Sequence, residues 1–321
     1  MRRQIDYLYP MLSHPLQNTA GENGIEIRST GHYLDFIKKD PDRIVRLAIQ
    51  HWAYINDIIT SFDYYFTAVE PLDWHGYALV DYSLPRHHQV VGFDLMPVKF
   101  TSLAKPMVTS LQYQDFANLQ TGDTVFDLGA YSGLTSILFK EKVGRAGHVI
   151  AIDADTRNIE TIRENLALYR KLTDQEISLV HGAMWNHCEG LDFSSDGNMG
   201  ASATEIIGME RGSRALVRSY TLSKLADDFG VSRVDFVKCD IEGAEALIFD
   251  DDSFFRRFRP RIIIETHLVN GVLTNRQCID ALRRHGYRCE PIEQLGVTLP
   301  LAARPALSAA PCFRRQQESC V

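Results

Sequence analysis

Two short apolar runs end in groups that could do chemistry. Lys238-Cys239-Asp240-Ile241-Glu242-Gly243-Ala244-Glu245 closes the first, and Arg261-Ile262-Ile263-Ile264-Glu265-Thr266-His267 closes the second. Alternate residues of a strand share a face, so Phe236, Lys238 and Asp240 line up on one strand and Ile263, Glu265 and His267 on the other. If the strands are neighbours, Lys238, Asp240, Glu265 and His267 converge at the carboxyl edge of a sheet, where open α/β sheets hold their ligands. A carboxylate or imidazole placed there can remove a proton, with His267 or Asp240 as the base and Glu265 orienting or neutralising Lys238. Lys238, Glu265 and His267 read equally well as a buried ion-pair network, because a mid-strand lysine must be paired when buried. Asp240, Glu265 and His267 also make an O/O/N set of metal-ligand types; no outer-shell pattern accompanies it, and no metal is expected.

A second constellation lies upstream. Asp127-Leu128-Gly129-Ala130-Tyr131-Ser132-Gly133 follows the apolar Thr124-Val125-Phe126 and opens a helical stretch beginning at Leu134. Glycines there let the backbone turn tightly beside a ligand, and the helix start offers unpaired N–H groups. Tyr131 stands where a dinucleotide fingerprint needs its second glycine, so a pyrophosphate is not the expected ligand. Asp153, 24 residues after Gly129, ends the run His148-Val149-Ile150-Ala151-Ile152. An acid at that strand end can grip two ribose hydroxyls, whereas the alternative is a helix cap, which Asp155 or Thr156 could equally supply.

These residues need a scaffold that brings strand ends together. From about residue 100 short apolar runs alternate with helical segments: strands at 124–128, 148–152, 177–181, 234–239 and 261–266, helices near 132–142, 156–170, 243–257 and 274–285. That alternation implies an α/β fold, a mostly parallel Rossmann-like sheet with helices on both faces. Between its third and fourth strands, residues 186–220 carry the small-residue stretch 193–202, which suits a hairpin or a loop over the ligand.

The first hundred residues read differently. Residues 1–30 suggest an irregular arm. Ile44, Ala48, Trp52, Ile55, Ile59, Phe62, Phe66 and Val69 recur at spacings of three and four, predicting one long helix that ends before Pro71. Its aromatic side chains, Tyr65 among them, could roof a substrate pocket or simply form core. A hairpin is expected from 77–82 and 89–93 around Ser83-Leu84-Pro85-Arg86, with His87 and His88 at the surface. The chain thus divides into an extension of helix plus hairpin over 1–100, acting as lid or acceptor pocket, a ligand-binding domain over 101–300, and a tail over 301–321.

Composition narrows the classes. With 34 basic and 41 acidic side chains, the net charge of −7 argues against a nucleic-acid coat. No apolar run approaches the roughly 20 residues of a membrane helix, and Arg2-Arg3 is followed by Gln4, Asp6 and then Pro10 rather than a signal core, so a cytoplasmic protein with no membrane partner is expected. The six cysteines form no C-x-x-C pair and are expected to be reduced thiols.

The motifs together resemble the FkbM-type methyltransferases, which use S-adenosylmethionine on a class I methyltransferase fold. The resemblance rests on D-L-G-A-Y-S-G at 127–133, Asp153, K-C-D-I-E-G-A-E at 238–245 and P-R-I-I-I-E-T-H at 260–267, and spans about residues 100–290. It implies that Asp127, Gly129 and Gly133, with Ala130 and Tyr131 between them, line the methionine moiety, and that Asp153 with Ala154 holds the ribose. Gly182 and Ala183 would border the adenine, while Asp240 and Glu242 lie near the transferred methyl, Glu242 on the acceptor side. The implied activity is O-methylation of a small-molecule hydroxyl, on a natural product or sugar, in secondary metabolism. A reaction at the aminopropyl chain releasing methylthioadenosine, and a non-catalytic binding module, are the alternatives.

Overall fold

The computed structural model describes residues 15–195, 213–293 and 309–315. The chain divides into two compact units, Met1–Met107 with Gly296–Pro305, and Val108–Leu295 with Ala306–Val321.

In the first unit a helix, Pro15–Glu22, leads into β1 (Ile25–Ser29), β2 (Tyr33–Lys39) and β3 (Asp42–Ala48), followed by β4 (Leu72–Trp74) and β5 (Tyr77–Tyr82). They form one sheet in the order β1-β2-β3-β5-β4, with β3 and β5 parallel. Three expectations are corrected here. The described part of the arm is a helix and an edge strand. The predicted long helix splits, because Ile44, Val45, Arg46, Leu47 and Ala48 are consecutive buried positions of β3, covered on both faces. Ile44 and Ala48 are four residues apart, a spacing that puts two residues on one face of a strand as well as on one face of a helix. Helical turns begin only at Ile49 and come in short pieces, Ile49–Tyr54, Ile55–Thr60, Phe62–Tyr64 and Tyr65–Ala68, with His51 outside the helical region at φ −96°.

The third correction concerns pairing. β5 pairs with β3 and β4, while β6 (Arg86–His88) pairs with β7 (Val98–Phe100), so 77–82 and 89–93 are not partners. His88 is buried rather than superficial, with ring centroids of Tyr82 and Phe100 at 5.2 and 6.1 Å. Burial, helped by Arg86, pushes its imidazole down to about 4, so it stays neutral. Tyr65 is also buried, edge-on to Tyr82 at 6.0 Å, and is a core residue of its unit.

The second unit follows the predicted alternation. β8 (Thr124–Leu128), β9 (His148–Asp153), β10 (Ser178–His181), β15 (Phe236–Cys239) and β16 (Arg261–Ile264) are mutually parallel. With β19 (Tyr287–Glu293) and β20 (Ala309–Arg315) they form a seven-stranded sheet in the order β10-β9-β8-β15-β16-β20-β19. β20 runs antiparallel to both neighbours, so part of the expected tail is a strand; 294–308 and 316–321 lie outside the described residues. The helices are Met107–Ala117, Leu134–Val143, Thr156–Thr173, Leu222–Asp228, Glu245–Ile248, Asp252–Arg257 and Asn275–Arg284.

Period-two alternation sends neighbouring strand residues to opposite faces. Val125, Val149, Phe236 and Ile263 pack with Tyr113, Ala117, Phe139 and Val143. Phe126, Ile150, Val237 and Ile262 pack with Leu222, Leu225, Phe254 and Leu282 on the other side. The remaining strands are small: β11 (Ala183–Met184) pairs with β14 (Ser219–Tyr220), β12 (Leu191–Ser195) with β13 (Ser213–Val217), and β17 (Leu268–Val269) with β18 (Val272–Leu273). The insertion is thus a hairpin at its base, while 196–212, which includes most of the small-residue stretch, lies outside the described residues. Among the described residues no helix is long and apolar enough to cross a membrane, and Cys188, Cys239, Cys278 and Cys289 are free thiols.

Candidate functional site

The strand order reverses between β8 and β15: the chain runs β8, β9, β10 outward, then returns to the other side of β8. At such a reversal the loops leaving the two central strands diverge and open a crevice beyond their carboxyl ends. Every strand-end acid picked out in the sequence lies there.

The turn after β8 holds one side. Gly129, Tyr131 and Gly133 have φ of +80°, +54° and +78°, so the backbone is left-handed at three of five positions, at Tyr131 without the freedom of glycine. A Cβ on Gly129 would stand 1.7 Å from the Asp240 carbonyl oxygen, which shows how closely the β8 and β15 loops approach. Ala130 is buried and its N–H donates to the Ile152 carbonyl at 3.1 Å.

The cap question is answered at the end of β9. Asp155 is the N-cap of the helix Thr156–Thr173, accepting from the N–H groups of Arg157 and Asn158. Asp153 instead accepts from the Tyr131 N–H at 2.8 Å and the Asp155 N–H at 2.9 Å, tying β9 to the glycine turn. Burial, reinforced by the Asp155 charge, raises its carboxyl to about 7. Gly182 donates its N–H to the Asp153 carbonyl at 2.9 Å, and a Cβ there would meet the Tyr220 ring at 2.5 Å. Ala183 is buried among Trp185, Leu191 and Ala244, with Ala154 packed against that cluster.

Lys238 is the hub of the other side. It faces Asp127 in register on the neighbouring strand and is 2 % exposed. Its Nζ donates to the Gly129 carbonyl at 2.7 Å and the Leu128 carbonyl at 3.3 Å, and lies 3.3 Å from Asp127 Oδ1 and 3.4 Å from Asp240 Oδ2. Burial opposes the charge, but Asp240 and Asp127 outweigh it and raise the lysine well above its usual range. Asp127 Oδ2 accepts a hydrogen bond from Ser136 at 2.5 Å, while Oδ1 has no hydrogen-bond partner among the described residues. Glu265, expected to orient or neutralise Lys238, accepts a 2.5 Å hydrogen bond from Tyr113 Oη, and its charge helps to hold the lysine protonated.

His267 lies beside Asp240 and Glu242 as well. Its Nε2 is 3.6 Å from Asp240 Oδ1 and 3.5 Å from Glu242 Oε1, and its Nδ1 is 3.2 Å from Glu245 Oε1. Glu245 is fully buried; its Oε1 also accepts from the His267 N–H at 3.0 Å and Thr274 Oγ1 at 2.6 Å, and its Oε2 from the Gly243 N–H at 2.7 Å. Burial alone would raise the Glu245 carboxyl, but His267 and Thr274 bring it below its ordinary value. Glu242 goes the other way, pushed up to about 8 by burial against the pull of His267, with Asp240 adding to the rise. Burial disfavours a charged His267, yet Glu242, Glu245 and Asp240 together raise it well above a free imidazole.

Lys238, Asp240 and His267 therefore meet as their spacing suggested, and Asp127 and Asp153 flank the same crevice. The O/O/N set is Asp240, Glu242 and His267 rather than one with Glu265. Tyr65 belongs to the other unit and is core. Three residues escaped the sequence reading: Glu245, whose anchoring role has no periodic signature although it lies in the quoted run; Thr274, which opens a helix 29 residues later; and Tyr113, whose ring lies 5.8 Å from Lys238 Nζ.

Residues 127–289 match the family model described as the methyltransferase FkbM domain. An arsenite methyltransferase of Halobacterium salinarum is 42 % identical over 52 residues, which is 16 % of this chain and only 13 % of that protein's length. Among solved structures, an FkbM methyltransferase from Methylobacillus flagellatus superposes with a TM-score of 0.40 at 14 % identity, covering 64 % of this chain and 50 % of that one. A SAM-dependent O-methyltransferase from Thermotoga maritima gives 0.37 at 14 % identity, over 65 % and 64 %.

Proposed function

The chain belongs to the FkbM methyltransferase family, and from that premise we propose that it is an S-adenosylmethionine-dependent methyltransferase acting on a hydroxyl of a small-molecule acceptor. The residues present fit that cofactor. The glycine turn presses against β15 with no room for a side chain at Gly129. Asp153 is released from capping by Asp155, leaving a carboxylate for a ribose diol. Asp127 Oδ1 is buried without a hydrogen-bond partner among the described residues, and Asp127 and Asp240 bring carboxylates that suit a cationic ligand.

When bound, S-adenosylmethionine supplies an electrophilic methyl group on a positively charged sulfur. The protein's own tasks are then to orient the donor, exclude water and handle the acceptor's proton. Lys238 holds the two central loops together through the Leu128 and Gly129 carbonyls and keeps Asp240 in place. Asp240 and His267 supply the polar edge at which an acceptor hydroxyl is ionised. The observation that carries the reading is the position of Asp240, joined to Lys238 on one side and facing His267 on the other, directly across from Gly129.

The test is incubation of the purified protein with S-adenosylmethionine, first alone and then with a panel of hydroxylated small molecules, followed by mass spectrometry. S-adenosylhomocysteine forming together with an acceptor 14 mass units heavier is the expected result. Methylthioadenosine as the product would replace methyl transfer by attack at the aminopropyl chain. No binding of donor or of S-adenosylhomocysteine would overturn the proposal altogether.

A further inference from the structure

Resting on that reading for its chemical purpose, we propose that Asp240 Oδ1, Glu242 Oε1 and His267 Nε2 form a three-ligand site for a divalent first-row cation, with open positions that take the acceptor's hydroxyl oxygen. One ligand atom from each of the three residues lies within 4.8 Å of the others. The Nε2 separations of 3.6 and 3.5 Å are too long for charge-assisted hydrogen bonds, which run at about 2.7–2.9 Å. They are close to the ligand–ligand edge around a cation with bonds of about 2.1–2.2 Å, which is roughly 3.0–3.6 Å for octahedral and tetrahedral sites.

The surroundings are built for this purpose. A metal-binding imidazole commonly donates its other N–H to a carboxylate, which fixes the tautomer and ring orientation. Glu245 does this here: fully buried, it receives His267 Nδ1 at 3.2 Å and the His267 backbone N–H at 3.0 Å, and is held in turn by Thr274 and Gly243. With Nδ1 turned to Glu245, Nε2 faces one oxygen of Asp240 and one of Glu242 at separations that a cation held by all three would span. The other oxygen of Asp240 is held by Lys238 at 3.4 Å, which sets the rotation of that carboxylate.

Two carboxylates and one imidazole suit Mn²⁺ and its neighbours better than a thiolate-seeking ion. Three protein ligands leave positions for exogenous oxygen, as in catalytic rather than structural sites. A hydroxyl bound there would lose its proton to water more readily, because the cation stabilises the alkoxide. Asp240 and His267 would then ionise the acceptor through the cation they hold.

The experiment is Mn²⁺ binding to the full-length protein after chelator treatment and gel filtration, read by electron paramagnetic resonance of free Mn²⁺. S-adenosylhomocysteine binding is measured by calorimetry on the same samples. One equivalent of Mn²⁺ is expected, with affinity lowered at least tenfold in Glu242→Gln and His267→Ala and 10–100-fold in Glu245→Gln, the range typical for losing an orienting partner. Cofactor binding retained with no Mn²⁺ taken up, or Mn²⁺ binding equally to wild type and all three variants, overturns the cation site and leaves the methyltransferase reading intact. Mn²⁺ binding without any affinity for S-adenosylhomocysteine overturns the methyltransferase reading instead. Glu242→Gln changes one partly exposed group, so a folded variant is available even if His267→Ala disturbs Glu245.

Discussion

The carbonyl oxygen of Asp240 occupies the space in which a side chain on Gly129 would begin, 1.7 Å from an ideal Cβ. The two loops that bound the crevice are thus packed backbone to backbone, and nothing larger than glycine fits. Gly129→Ala must either push β15 away from β8 or give up its φ of +80°. Overpacking and left-handed strain each cost about 1–3 kcal/mol. The expected outcome is a loss of about 2–5 kcal/mol in urea unfolding, together with loss of S-adenosylhomocysteine binding in calorimetry.

Asp153 predicts a pH dependence whose sign can be worked out. Its carboxyl is raised to about 7 in the folded protein from 3.8. Between these values the native state holds a proton that the unfolded chain has released. This group's contribution to stability therefore falls as pH rises from about 4 to 7. Gripping a ribose diol needs the carboxylate, so S-adenosylhomocysteine affinity should rise with pH and level off above about 7. Calorimetry from pH 5.5 to 8.5 checks this, and Asp153→Asn should bind weakly with a flat profile.

Asp155 should separate from its neighbour. Its side chain caps the helix Thr156–Thr173 through the Arg157 and Asn158 N–H groups. Asp155→Ala is expected to cost about 1 kcal/mol in urea unfolding, the usual loss for an N-cap. It should also lower the pH at which cofactor affinity levels off, because the Asp155 charge helps raise Asp153.

Lys238→Met should be among the most damaging single changes. It leaves Asp127 and Asp240 without the buried ammonium that lies 3.3 and 3.4 Å from them. Breaking a buried pair from one side costs about 3–5 kcal/mol. Urea unfolding at pH 7 would show it, and lowering the pH should recover part of the loss as the stranded carboxylates take up protons.

Tyr113→Phe removes the hydroxyl that donates to Glu265. A carboxylate that loses a partner in a partly buried site is destabilising by about 1–3 kcal/mol. The loss should appear in urea unfolding and shrink in the Tyr113→Phe, Glu265→Gln double variant, where no charge is left unsatisfied. A double-mutant cycle reads the coupling directly.

In the second unit, β8, β9 and β15 were legible because each is a short apolar run followed by a glycine turn or an acid, and helices alternate with them. In the first unit the residues from 44 to 48 of a strand are buried on both faces, and the four-residue spacing of Ile44 and Ala48 fits a helix pattern as readily as a strand's period of two. The parallel pairing of β5 with β3 joins segments far apart in sequence, and no local signal specifies it, whereas β4 and β5 form a local hairpin around His75-Gly76.

The sequence by itself determined which acids, lysine and histidine stand at strand ends, because strand periodicity and glycine turns are local properties of the chain. It also determined the family, through motifs carried within single strand-to-helix junctions. Their partners follow from how distant segments pack together. Lys238 is held by Asp127 because β15 lies in register beside β8, with Glu265 turned to Tyr113. His267 faces Glu242 and rests on Glu245 because the turn after β15 folds back over the end of β16. Such contacts depend on register and on loop closure between distant segments, and neither is written in the spacing of residues along one strand.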